Sequence, residues 1–584
     1  MIKIKHLLMF ITVYGAVFFG CAKMMEPEQQ PYDTGPVDRF TIDAYNQSNI
    51  ESGSYSPGVY SISTEEKSHI TINNLNGNTV YLIHINASGQ VLGSSETKIV
   101  STWERSGSAA GAAAAQNRAA VTAETLPEAE IPVRYDFEDA VNFKPLPRSG
   151  TDGGAASARS LSTRSAAASL VDPGSYLENV SERKFWVRRE TGSQEWYELT
   201  ATLRAKNDAC FVWVADENFD PNNSDNHSDN KISLAQAQEF AQKFNVIYQK
   251  ETTLFGYEYG GGPGGGGGVD SLKPVQIFAY DISEDYTSNQ TGGIVGYFWM
   301  KDEYTQAELD VMHTVGETYK TNLAEMFYMD IHFIDRHPEL AYSTSIHEFQ
   351  HMIHYNQKNV IHKKMTSTWY NEMLSMLAED VLCEYINIQP SNPAHPVAAR
   401  IPLFLSEYNV SGVTEWLSGG GVYNSYAASY AFGAYLVRNF GGAALVHEMI
   451  TNDDIDEASI LMAVKSMNDV SSWTFNTLLE KFAETVVFTG SSGKNMSFNK
   501  THAGAVSGVS YTFKGFDIGA IVRKTGTGTA AAAGPAYFKP DGAWMLRPNG
   551  FAAVSSEQWT NVHGSLTLNL NKPYAATKIF VMIK

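Results

Sequence analysis

The sequence predicts an α+β fold: a mixed sheet joined to a helical subdomain, flanked by a small all-β domain at each end. Near the N-terminus, HITINNLNGNTVYLIHINAS alternates apolar and polar residues around an Asn76-Gly77 turn, a hairpin signal. Between residues 184 and 368, strand-like runs alternate with helical periodicity, and residues 369 to 490 are helical almost throughout. After residue 501 the β signals return and end in GSLTLNLN and TKIFVMIK.

A chain of 584 residues holds two to four domains. Its formal charge of −20 leaves no basic surface for a nucleic-acid partner. The first 21 residues read as a lipoprotein-type signal peptide: Lys3 and Lys5 precede an apolar run, and Gly20-Cys21 closes it. Cys21 is the expected lipidated residue, and it would tether an exported protein to the cell surface or outer membrane. Phe18 and Phe19 depart from the usual lipobox, so the alternative is an ordinary signal peptide, with secretion, or an uncleaved anchor. No later segment is long and apolar enough to span a membrane. Cys210 and Cys383 stand in apolar contexts and read as buried free thiols.

The order along the chain follows. Residues 22–39 form a tether and 40–100 the N-terminal β domain. Residues 101–183 are an Ala/Ser/Gly-rich linker, interrupted by a strand-like IPVRYDFE. In 184–368, EWYELTATLRAKNDACFVWVAD gives two strands, and SLAQAQEFAQKFNVIYQKETTLFG a helix capped by Ser233. KPVQIFAYDI, GGIVGYFWM and EMFYMDIHFI give further strands. Residues 369–500 form the helical subdomain and 501–584 the C-terminal β domain. The run GGGPGGGGG lacks the Gly-Lys-Ser/Thr of a phosphate loop and reads as a mobile loop. DENFDPNNSDNHSD offers carboxylates that could hold Ca2+, but Pro221 breaks the EF-hand spacing, so calcium is left without support.

The chemistry concentrates in SIHEFQHMIHYNQK. With residues 339–358 on a helix, His347 and His351 are i and i+4 on one face, where both rings reach one Zn2+. Glu348, beside the first, is placed to take a proton from water rather than to bind the metal. A second helix, STWYNEMLSMLAEDVL, carries Glu372 within reach of the pair. Two histidines, one glutamate and water make the open tetrahedral site that catalytic zinc requires. Position 354 carries histidine where a metzincin has glycine, and Gln357 stands where its third histidine would be. His354 is assigned a supporting or solvent-facing place.

HExxH followed by NExxS resembles the gluzincins, the thermolysin-like metallopeptidases. The wider run STSIHEFQHMIHYNQK … WYNEMLSMLAED, with GGIVGYFWMKDEY upstream and SYAASYAFGAYLVRNFG downstream, is similar to the hyicolysin family, across roughly residues 185 to 490. The resemblance implies a zincin-like fold, one catalytic Zn2+ on His347, His351 and Glu372, and Glu348 as general base cleaving peptide bonds in protein or peptide substrates. It also implies an oxyanion donor, for which Tyr430 is the candidate and Tyr426 its rival. GIVGYFWM is the candidate substrate-binding edge strand. Met376 replaces the aspartate expected four residues after Glu372, leaving Glu379 and Asp380 as alternative partners for a ligand histidine. The competing function is a catalytically silent surface adhesin with a protease-like domain.

Overall fold

A computed structural model describes residues 40–43, 59–62, 69–87, 91, 133–134, 170–189, 195–223, 230–287, 292–312, 318–488, 496–524, 532–540, 545–569 and 577–583. The expected signal segment with Cys21, the tether, most of the linker and part of the Asx-rich run lie outside them.

Strands β1 (Phe40–Asp43), β2 (Val59–Ile62), β3 (His69–Asn78) and β4 (Val80–Asn86) come first. Gly77 does take a positive φ of 82°. The expected hairpin is nevertheless corrected: β3 pairs with β1, while β4 lies in a different sheet. The short β5 (Val133–Arg134), from the IPVRYDFE run, precedes the central region.

That region opens with β6 (Glu182–Arg188), β7 (Trp196–Lys206) and β8 (Cys210–Ala215). Helix α1 (Leu234–Phe255) follows, with Ser233 and Gln236 forming a capping box. Then come β9 (Val275–Tyr280), β10 (Gly293–Ile294), β11 (Gly296–Phe298), α2 (Gln306–Met312) and β12 (Met326–Asp330). Six of these strands form one mixed sheet in the order β11-β12-β9-β8-β7-β6. Its centre is parallel, β12 on β9 and β9 on β8, and every residue of these three strands is buried. Continuous apolar runs are what strands covered on both faces need. At one edge β11 pairs antiparallel with β12. The single strand expected from GGIVGYFWM is thus split, with β10 paired in parallel to β5. EMFYMDIHFI also divides: Asp330 ends β12 and caps α3 (Ile331–Arg336) by accepting the His332 N–H.

Helix α4 (Pro338–His354) starts with proline at its first turn and is buried from Ala341 onward. Tyr355–Ile361 continues it as a π-helical turn. The helical subdomain holds α5 (Thr368–Leu382), α6 (Pro396–Glu407), α7 (Val422–Phe440), α8 (Gly442–Thr451), α9 (Asp456–Met467) and α10 (Phe475–Phe488). Cys210 and Cys383 are free and buried. No helix among the described residues is long and apolar enough to cross a membrane.

The C-terminal strands correct the expectation of a separate β domain at each end. The hairpin β13 (His502–Val506) and β14 (Val509–Phe513) packs on α8. The strands β15 (Phe551–Val554), β16 (Val562–Asn569) and β17 (Thr577–Ile583) pair with N-terminal ones instead. Two sheets result, β1-β3-β16 and β15-β4-β17-β2. Among the described residues the two terminal segments pool their strands around Ile72, Leu82, Trp559 and Leu566.

One close approach fixes the edge strand against α4. A Cβ on Gly296 would lie 2.8 Å from the Tyr328 carbonyl, 2.9 Å from the Met329 sulfur and 3.0 Å from the Thr344 methyl. Gly296→Ala is therefore expected to push β11 off α4, lowering the melting temperature and any activity together; both unchanged would show that the gap closes without strain.

Candidate metal centre

Helices α4 and α5 make the site. Phe349 on α4 packs against Phe244 and Tyr248 of α1, ring centroids 5.2 and 5.3 Å away. That contact turns the opposite face of α4, carrying His347 and His351, toward α5. The two imidazoles stand 4.7 Å apart, nearly perpendicular. Glu372 reaches between them: its Oε2 is 3.0 Å from His347 Nε2 and its Oε1 is 3.4 Å from His351 Nε2. Among the described residues these three form the one His/Cys/Asp/Glu group whose donor atoms all lie within 4.8 Å of one another. Ligands at 2.0–2.1 Å from a tetrahedral ion sit about 3.3 Å apart, so the spacing fits zinc.

The far side of each ring is also held. His347 Nδ1 lies 2.7 Å from Glu379 Oε1, and Glu379 Oε2 accepts the Ser343 hydroxyl at 2.8 Å. His351 Nδ1 lies 3.1 Å from both Asn371 Oδ1 and Ser375 Oγ. With Nδ1–H donated backward, each Nε2 presents its lone pair to the centre. Of the alternatives at 379 and 380, the structure places Glu379 behind the ligand. Asp380 turns the other way, into a buried pair with Arg438 at 2.9 Å. Met376 is fully buried and contributes packing only.

Glu348 is 1 % exposed, and its Oε2 accepts the Phe298 N–H at 2.7 Å. Phe298 ends β11, so the main chain of the edge strand aims the carboxylate. Tyr430, the expected oxyanion donor, lies on α7 with its hydroxyl engaged. Its hydroxyl donates to Asp380 Oδ2 at 3.0 Å, and the residue is fully buried beside Arg438. Tyr426, one turn earlier, has its ring 6.5 Å from the His347 ring, between Trp416 and the Arg400 guanidinium. His354 is buried rather than solvent-facing, with Nε2 2.9 Å from Thr366 Oγ1. Burial holds it well below its usual pKa and hence neutral.

Sequence reasoning passed over Asn371, Ser375 and Ser343. The signal was present: Asn371 and Ser375 flank Glu372 on the face that meets α4, and Ser343 is one turn before His347. Electrostatics without a metal show what the cluster wants. Burial opposes charge on His347, but Glu372 and Glu379 outweigh it and raise its pKa well above the usual value. Burial would likewise raise Glu372, yet the two histidines hold it down at about 2. A cation must displace protons from the histidines, so metal affinity falls as pH falls.

With this geometry in hand, comparison with known proteins is informative. A family profile described as Peptidase M30 matches residues 195–511. The neutral metalloprotease ShpI of Staphylococcus hyicus is 27% identical over 263 residues, covering 43% of this chain and 50% of ShpI. The chain thus spans about half the length of the curated relative it matches.

The two neighbouring acids of α5 should separate cleanly. Glu379→Gln is expected to weaken metal retention about 10–100-fold, read by chelator competition. Asp380→Asn should leave retention unchanged and instead cost about 3–5 kcal/mol in denaturant unfolding, because Arg438 stays buried without its partner. The reverse pattern would reverse the assignment.

Proposed function

The chain belongs to the peptidase M30 family, and we propose that it is a zinc-dependent endopeptidase acting on extracellular proteins or peptides. The observation that carries this reading is the convergence of His347, His351 and Glu372, with Glu348 beside them on the edge strand. The donor set suits zinc, with two imidazoles, one carboxylate and no protein group in the fourth position. A zinc ion held there would supply Lewis acidity, polarising the scissile carbonyl and making water a better acid.

The chain's own residues do the rest. Glu348, an acceptor next to the metal ligands, takes the proton of the attacking water and returns it to the leaving amine. Its Phe298 N–H bond keeps one oxygen oriented through both transfers. Glu379, Asn371 and Ser375 keep the histidines in the ligating tautomer. Tyr426, beside His347, is the donor we assign to the developing oxyanion. The edge of β11 not paired with β12 offers main-chain groups on which an extended substrate can add as a strand. An adhesin that had lost catalysis would have no reason to keep the ligand set, the base and their supports together. We further propose export with a lipid anchor on Cys21; Cys21→Ala is expected to release the protein from membranes, and unchanged retention would refute the anchor.

For the catalytic reading, the purified chain should contain one zinc and cleave casein. Glu348→Gln should keep the zinc and lose about 10²–10⁴-fold in turnover. A zinc-loaded wild type that cleaves nothing across broad protein substrates would overturn the proposal. Tyr426→Phe should lower kcat about 10²–10³-fold with little change in KM, whereas Tyr430→Phe should leave kcat near wild type.

A further inference from the structure

The Gly-rich run of residues 260–268 is not the mobile loop its composition suggests. It folds over four acids: Glu258 before it, Asp270 after it, Glu303 in the turn that follows β11, and Glu325 just ahead of β12. Glu258, Glu303 and Glu325 are 2–3% exposed. The loop backbone lies directly on two of them. A Cβ on Gly261 would meet the Glu258 carboxylate at 2.4 Å, and one on Gly268 would meet Glu325 at 2.0 Å. The glycines are required because the chain comes this close.

Each acid has at most one oxygen satisfied. The Tyr248 hydroxyl donates to Glu258 Oε1 at 2.8 Å, the Val269 N–H to Glu325 Oε1 at 2.8 Å, and the Leu272 N–H to Asp270 Oδ1 at 2.9 Å. Glu258 Oε2 and Asp270 Oδ2 are buried with no hydrogen-bond partner, and the oxygens of Glu303 and Oε2 of Glu325 have none beyond each other. Glu303 and Glu325 face each other within hydrogen-bonding reach. Lys301 pairs with Asp302 at 2.7 Å, and Arg183 donates to the Asn322 carbonyl while its charge partly offsets that of Asp270. Buried carboxylates in such a group must bind a cation or take up protons.

We propose that this cage binds a hard divalent cation, Ca2+, through Glu303 and Glu325 with support from Glu258 and Asp270. An all-oxygen donor set favours calcium over zinc. The tight three-way convergence of the His347 group is not repeated here. Ligands at 2.3–2.6 Å from calcium stand at most about 5 Å apart, so the ion would draw these carboxylates together as it binds. Burial pushes Glu325 up to about 8 and Asp270 and Glu258 to about 7, so without an ion the group carries protons near neutrality. The ion would clamp the Gly-rich loop to the start of β12 and to the turn after β11. Because Phe298 of β11 holds Glu348, the clamp would stiffen the strand that aims the general base.

Equilibrium dialysis of the zinc-loaded full chain against 45Ca2+ tests this without using peptidase activity. Wild type is expected to retain one calcium and to melt at higher temperature as calcium is added. Glu303→Gln and, separately, Glu325→Gln should each weaken calcium binding about tenfold or more with zinc content unchanged. A wild type that retains no calcium and whose melting is indifferent to it would overturn the proposal, leaving a proton-sharing acid pair. Undiminished calcium binding in both variants would also overturn it, by placing the ion elsewhere, as in the Asx-rich run. The wild-type measurements stand even where one variant fails to fold.

Discussion

The structure turns on one electrostatic constraint: acids and histidines are sealed from water between α1, α4 and α5 and cannot all be charged there without a cation. His347, Glu348, Glu372, Glu379 and Glu251 are each no more than 2% exposed. Left without an ion, the cluster resolves the conflict by ion pairing, with the His347 pKa pushed up and that of Glu372 pulled down so that the two carry opposite charges. Glu251, behind His347 and with no hydrogen-bond partner for either oxygen, is driven well above the carboxylate range by burial. A divalent ion held there would replace these compromises with one strong centre and so couple metal binding to proton release.

The rest of the molecule holds that cluster still. Aromatic packing of Phe349 on α1 sets the roll of α4. The Asp380–Arg438–Tyr430 group locks α5 to α7 on the side away from the metal. The mixed sheet brings β11 alongside α4, and the missing side chain at Gly296 permits the contact. Glu348 thereby receives its orienting N–H from a main chain rather than a mobile side chain. Termini that share two sheets close the far end of the fold, joined to the helical subdomain where Tyr408 stacks on Phe551 at 4.9 Å.

Adjacent residues show how differently such a fold uses the same chemistry. Glu379 and Asp380 are successive acids on α5, about 100° apart around the helix. One faces α4 and backs His347; the other faces α7 and neutralises an arginine. Tyr426 and Tyr430 divide in the same way along α7, one beside His347 and one bound to Asp380.

The grouping of His347, His351 and Glu372 was legible in the sequence because helical periodicity is local. His347, Glu348 and His351 take their relative placement from one helix, and Glu372 needs only a reversal before the next. The central strands were legible too, since β8 and β9 are unbroken apolar runs. What tertiary structure decided was every choice that depends on which neighbour an element meets. Glu379 over Asp380, and the commitment of Tyr430 to Asp380, follow from the packing of α5 and α7. Gly77 takes the positive φ that the Asn76-Gly77 signal implies, but strand partners hundreds of residues away set β3 and β4 in separate sheets. The Gly-rich run looked featureless because glycine has no side chain to read; its meaning lies in the buried carboxylates its backbone covers.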